Sequence, residues 1–299
     1  MPRFLTVATI LLIPAICLAM GPKRRAPPPE PPKLRSLPPD ATPSVQPVLV
    51  EIFTSQGCSS CPRVDRMVAP LLRNKTLSKV FLPLAYHVDY WDGLGWKDPF
   101  SNKKWSARQR LYSARNRRNK VATPEIWLNG QRRVGAIRAD LIRNAATRAA
   151  RARRDGRIEV ATQPAPMAVR VTVKGFLKRK VEGAMVDVRL ALYEDGLTTL
   201  IERGENAGTE LRNDRVVREL SVIDQIPTIG GSVTRKIVIL PLPSNWKGRR
   251  YGVVAFMQVR PSMKVIASSG VHFGFTGDLP GARIKDKPKP PKSFLHQPL

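Results

Sequence analysis

Cys58 and Cys61, in the stretch FTSQGCSSCP (residues 53–62), are two of only three cysteines in a chain of 299 residues. A thiol pair two residues apart exchanges disulfides, supplies half of a metal site, or forms a structural staple. The residues around it bear on the choice. VLVEIF (Val48–Phe53) is a short apolar run that fits a buried strand, and the next four residues have turn chemistry. Pro62 suits a first helical turn, and Val64, Met67, Val68 and Leu71 recur at helical spacing, with Pro70 expected to kink or shorten the helix. The pair therefore stands where a helix begins. Free N–H groups and the positive end of the helix dipole favour ionised sulfur there. Cys58, the outer of the two, is the expected nucleophile, and Cys61, one turn in, is suited to resolve a mixed disulfide. Ser59 and Ser60 add no charge, so only moderate activation is expected.

A second set of residues follows downstream. VATPEIWLNGQRRVGA (Val121–Ala136) reads as a Thr-Pro dipeptide, an apolar strand, an Asn129-Gly130 turn and a second strand. Pro124, opening a strand, is a candidate for a cis peptide. A helix comes next, with Leu141, Ala145, Ala149 and Ala152 on one face. This order, from strand, cysteine pair and helix to Thr-Pro, hairpin and helix, resembles the thioredoxin-like oxidoreductases over residues 47–155. The resemblance implies catalytic roles for Cys58, Cys61, Thr123 and Pro124, with the proline loop beside the pair and its backbone meeting the substrate. It also implies a buried proton-relaying carboxylate in the preceding strand. Glu51 is the candidate, one residue farther from Cys58 than the family spacing; an acid pointing off the sheet is the competing reading.

Between the two sets lies LAYHVDYWDGLGWKDPFSNKKWSARQRLYSARNRR (residues 84–118). LAYHVDYW is expected to be a central strand whose period of two puts His87, Asp89 and Trp91 on one face. Asp98-Pro99 is expected to start a helix that runs to about Arg117. His87 and Asp89 are read either as groups tuning Cys58, as parts of a metal site, or as structural hydrogen-bonding residues. Trp91, Trp96, Phe100 and Trp105 serve either packing or a peptide-binding wall. FTSQGCSSCP, YHVDYWDGLGWKDPFS and RQRLY, with the later RGENAGTEL, resemble a bacterial family of secreted thioredoxin-like proteins of unknown function. That resemblance implies export and names no substrate.

Residues 1–19 have the layout of a secretory signal, with cleavage after Ala19 removing Cys17. The apolar run is shorter than a membrane span needs, and no transmembrane span is expected in the mature chain; an uncleaved membrane anchor is the competing reading. Residues 20–46 read as a Pro-rich linker and 276–299 as a basic Pro-rich tail. The formal net charge is +28 and the sequence pI near 11.0. Between Asp98 and Glu125 there is no acid, while Lys103, Lys104, Arg108, Arg110, Arg115, Arg117, Arg118 and Lys120 crowd the segment. Such a surface suits an anionic envelope partner or is simply a solvated face. No nucleic-acid motif is recognisable.

Beyond Gly156, runs such as MAVRVTVKGF and YGVVAFMQV alternate apolar and polar residues at strand lengths. The expected architecture is an α/β thioredoxin-like domain (47–155) followed by an all-β sandwich-like accessory domain (156–275). The expected function is exported, periplasmic or extracellular thiol–disulfide exchange on a protein or peptide, with no cofactor. A copper-binding module using Cys58, Cys61 and His87 is the first alternative, soft thiolates selecting Cu(I). A non-catalytic adaptor with a structural disulfide is the second.

Overall fold

A computed structural model describes residues 47–274, apart from 75–76, 119, 135–138, 153, 166–167 and 243–249. The expected signal, linker and tail segments lie outside these residues. The first part of the chain runs β1 (Val48–Thr54), α1 (Cys61–Arg73), a 3-10 turn (Leu77–Lys79), β2 (Phe81–His87), α2 (Lys103–Arg115), β3 (Glu125–Leu128), β4 (Arg132–Val134) and α3 (Ala139–Arg151). The rest is strand: β5 (Gly156–Ala165), β6 (Ala168–Leu177), β7 (Met185–Asp195), β8 (Leu197–Leu200), β9 (Glu210–Asn213), β10 (Val216–Ile226), β11 (Val233–Pro241), β12 (Arg250–Arg260) and β13 (Val265–Gly274).

The strand period of two divides β1 between two cores. Val48, Val50 and Ile52 pack with Val64 and Val68 of α1 and with Ala145 and Ala146 of α3. Leu49 and Phe53 face the other way, into a cluster with Tyr86, Trp105, Tyr112 and Trp127. That second face is wider than α2 alone can cover, since α2 gives it only Trp105 and Tyr112. Tyr193, Val217, Val254, Phe256 and Val265, all from beyond residue 156, complete the layer.

This packing overturns the expected architecture. The chain is not an α/β thioredoxin-like domain followed by an all-β sandwich. It is mostly β, built on one eight-stranded mixed sheet of order β13-β12-β7-β10-β2-β1-β3-β4. β2 runs parallel to β1, and its other edge is met by β10, where Val216 registers with Ala85 and the Ala85 N–H donates to the Arg215 carbonyl at 2.8 Å. An open polar edge and an uncovered apolar face both demanded a neighbour, and the later strands supply it. A three-stranded sheet, β11-β6-β5, packs its apolar face on β7, β12 and β13, and β8 and β9 form a separate ribbon.

Several local expectations are also revised. α1 continues past Pro70 to Arg73. β2 ends at His87 rather than Trp91, because the chain turns there: the Val88 N–H donates to the Thr54 carbonyl and the Asn102 N–H to the His87 carbonyl. Asn102, not Asp98, caps α2 by accepting from the Lys104 N–H at 2.9 Å. The hairpin turn falls where the sequence places it, with Asn129 at φ 48° and Gly130 at φ 67°.

Candidate functional site

Cys58 ends the turn after β1, and Cys61 opens α1 with Pro62 in the first turn, where a missing N–H costs nothing. Ser60 stands at the cap position without bonding the helix; its hydroxyl lies 3.3 Å from the Cys58 sulfur instead. The Thr123-Pro124 peptide is cis, and the Thr123 carbonyl lies 3.6 Å from Cys58 Sγ. Both thiols are unbridged. The four residues expected to act together, Cys58, Cys61, Thr123 and Pro124, are therefore neighbours.

The donors around Cys58 explain its ionisation. The Cys61 thiol, then the Ser60 and Thr123 hydroxyls, hydrogen-bond to its sulfur and outweigh burial, bringing its pKa down to about 5. Trp91 Nε1 donates to Thr123 Oγ1 at 2.7 Å, which leaves the threonine's own proton free for sulfur. Cys61 moves the opposite way: burial, the bond it gives Cys58 and the nearby Asp65 carboxylate push its thiol well up. The two opposite shifts favour a pair whose one proton sits on Cys61 rather than on Cys58. This lowering exceeds the moderate level expected from the sequence, and the Cys61 thiol, followed by two hydroxyls, produces it; no cation among the described residues contributes.

Asp65 is the residue the sequence reading missed. It lies four residues after Cys61, on the same face of α1. Its carboxylate accepts from Thr54 Oγ1 at 3.0 and 3.1 Å and from Asn213 Nδ2 at 3.3 Å. Burial raises its pKa to about 6, against the lowering effect of His87 and Thr54. A helical i, i+4 count from Cys61 was the available signal.

Glu51 is not beside the pair. It is fully buried on the opposite face of β1, where it accepts from Arg108 Nε at 2.6 Å and from the Tyr112 hydroxyl. Arg108, counted in the sequence as part of a solvated basic stretch, is thus a core residue, and its guanidinium also reaches Gln258. Asp89 accepts from the Ser106 hydroxyl and ties its loop to α2. His87 is buried, with Nδ1 2.7 Å from Asp98 Oδ2. Burial opposes its protonation, but Asp98 and then Asp65 outweigh that and raise its pKa. Among the described residues Nε2 has no hydrogen-bond partner, and no three His, Cys, Asp or Glu side chains are grouped to hold a metal ion. The copper arrangement of Cys58, Cys61 and His87 has no geometric support here.

The aromatic residues divide. Phe100 and Trp105 are core. Trp91 and Trp96 are half-buried beside the cysteine turn, and Trp96 Nε1 donates to Gln56 Oε1 at 3.2 Å.

The cysteine turn is covered from the second part of the chain. The loop joining β8 to β9 carries RGENAG, and Asn206 Nδ2 donates to the carbonyls of Gln56 (2.8 Å) and Cys58 (3.1 Å). The Ser59 N–H donates to Glu205 Oε2 at 2.9 Å. Gln56 Nε2 reaches Thr199 and Asn213 on the two strands below. Gly95 and Gly204, both at positive φ, let two backbones meet: a Cβ on Gly95 would lie 3.1 Å from the Gly204 Cα. Under this cover Cys58 is 1% and Cys61 0% exposed, so the expected accessible nucleophile is closed off.

Residues 49–258 match the model of a family described as protein of unknown function, DUF1223. The chain belongs to that family. No curated protein matches it. Among solved structures it is similar to protein AGR_C_4864 of Agrobacterium tumefaciens, at 24% identity and a TM-score of 0.55, over 79% of this chain and 97% of that one. It is also similar to HBP35 of Porphyromonas gingivalis, at 12% identity and a TM-score of 0.57, over 85% and 80%. These likenesses concern the fold. No helix among the described residues is long and apolar enough to cross a membrane.

Proposed function

We propose that this member of the DUF1223 family is an exported thiol–disulfide exchange protein whose nucleophile is Cys58. The observation that carries the reading is the hydrogen-bonded Cys58 sulfur at the start of α1, beside the Thr123-Pro124 loop. That grouping resembles the reactive site of thioredoxin-like oxidoreductases, and the signal-like sequence pattern of residues 1–19 supports export. Cys58 is 1% exposed under the β8–β9 loop, so the loop must first lift from the cysteine turn; the Cys58 thiolate then attacks one sulfur of a substrate disulfide. A Cys58–substrate disulfide forms, and the displaced sulfur leaves as a thiolate that takes a proton from water. Cys61 then gives its proton to the Asp65 carboxylate and attacks the Cys58 sulfur. The second substrate sulfur leaves, the Cys58–Cys61 disulfide remains, and the substrate has gained two electrons. Reversed, the same steps oxidise a dithiol.

The donors around Cys58 stabilise the dithiol form more than the disulfide, and a stabilised reduced form makes an oxidant. The potential is therefore expected on the oxidising side of strongly reducing pairs, which lie at about −270 mV. Equilibration of the mature protein with glutathione buffers measures it. Turnover of a disulfide-bonded peptide by the wild type, lost in Cys58→Ser, is the expected result. Absence of turnover in the wild type, together with a potential far below the glutathione pool, would leave only a structural disulfide and end the proposal.

A further inference from the structure

A second cavity, remote from the cysteines, lies between the C-terminal end of α3, the β3–β4 turn and the start of β13. Its volume is about 330 Å3, and its charged lining is Arg148, Arg154, Asp155 and Lys264. Three cations thus face one carboxylate. That carboxylate is already engaged twice, by Lys264 Nζ at 3.1 Å and by Arg179 Nε at 2.9 Å. Arg154 is the unusual member. It is 8% exposed, yet no carboxylate among the described residues hydrogen-bonds its guanidinium. It donates only to backbone carbonyls, of Val265 at 3.3 Å, Ala149 at 3.4 Å and Pro47 at 3.5 Å. All three are longer than a good N–H···O bond, and among the described residues Nε has no hydrogen-bond partner.

A buried charge without a counter-charge is costly. Here burial draws the Arg154 pKa down to about 10, with Asp155 only partly opposing. A folded chain that merely needed to tie β13 to α3 would do so with a neutral donor at lower cost. A guanidinium fork matches the paired oxygens of a carboxylate or phosphate.

We propose that this cavity binds a small oxyanion, a phosphate or carboxylate compound, with Arg154 as the buried anchor and Arg148 and Lys264 at the mouth. Arg148 of α3 and Lys264 of the β12–β13 turn are exposed enough to meet a ligand from solvent, and Ala149 and Ile266 supply apolar lining beside them. The site does not depend on the thiol reading, since neither cysteine lines it.

Calorimetric and thermal-shift titrations of the mature protein test this, with inorganic phosphate, glycerol phosphate and citrate as probes and sodium chloride at matched ionic strength as the control. Saturable binding of at least one oxyanion is expected, with a rise in melting temperature that chloride does not give. Arg148→Ser and Lys264→Ser, both away from the core, should each weaken that binding about tenfold, since a charge-assisted bond is worth roughly 1.5–3 kcal/mol and 1.4 kcal/mol is tenfold. Arg154→Gln should abolish it, and if that variant does not fold, the two mouth variants still decide. A response to both phosphates identifies a phosphate site; a response to citrate alone identifies a carboxylate site. No oxyanion effect beyond chloride, or undiminished binding in the Arg148→Ser/Lys264→Ser double variant, overturns the proposal.

Discussion

Cys58 and Asp65 carry opposite electrostatic histories, and each yields a measurable consequence. A Cys58 pKa near 5 means that the thiolate absorbance near 240 nm should appear between pH 4 and 6. It should vanish in Cys58→Ser, whereas Cys61→Ser should shift the midpoint upward by removing the first donor. Asp65 has a folded pKa of about 6 against an ordinary value of 3.8. Its proton is held more tightly in the folded state, so its contribution to stability is complete below pH 3.8 and is lost as pH rises through 6. Two units correspond to about 3 kcal/mol at most. Asp65→Asn should therefore raise urea resistance above pH 6 by about 1–3 kcal/mol relative to wild type, while slowing release of the mixed disulfide at least tenfold. A variant that is more stable and less active is the signature of a group kept for chemistry; a loss of stability at pH 8 would contradict it. The cysteine pair and the Thr123-Pro124 loop were legible because their spacing is local. Asp65 was legible in principle, by a helical count. Gln56 and Asn206 were not, because their side-chain partners lie from 40 to 157 residues away.

The β8–β9 ribbon and its loop set access to sulfur. Among the described residues, the side chains of Asn206 and Glu205 hydrogen-bond the loop to the cysteine turn, and Glu205 is exposed. Asn206→Ala should speed alkylation of Cys58 by iodoacetamide at pH 6 about tenfold, since losing two hydrogen bonds is worth about 1–3 kcal/mol. Gly204→Ala should act the same way, its left-handed φ of 82° and its contact with Gly95 both opposing a side chain. Unchanged rates in both variants would mean that reagent reaches Cys58 by another path. The sequence presented this loop as polar and Gly-rich, with recognition and structure equally open. Its site lay hidden because nothing in RGENAG encodes a contact with residues 150 positions earlier. The same blindness affected the end of β2, where alternation in LAYHVDYW reads as one strand but tertiary bonds from Val88 and Asn102 turn the chain at His87.

The two parts of the chain share one sheet and one buried polar knot. Glu51 of β1, Arg108 and Tyr112 of α2 and Gln258 of β12 are bonded to one another in the interior. Removing one partner strands a buried charge, a loss of about 3–5 kcal/mol, so Glu51→Gln should lower the melting temperature by many degrees. Unfolding followed by tryptophan fluorescence and by far-ultraviolet dichroism should coincide, because the first part's apolar face is covered by the second. Separate transitions would show that each part stands alone. Alternating strands beyond Gly156 were legible; their partners were not, since strand periodicity says which face is buried but not against what. The joint itself is slender. Between β2 and β10 the ladder has a single registered pair, Val216 with Ala85, whereas β7 and β10 register along most of their length. A load strong enough to break the shared core and the polar knot as well would part the molecule along that seam, carrying the ribbon off with the strands that follow. The thiolate would then be bared by mechanical failure as well as by thermal opening, which makes its labelling rate a gauge of whether the seam is shut.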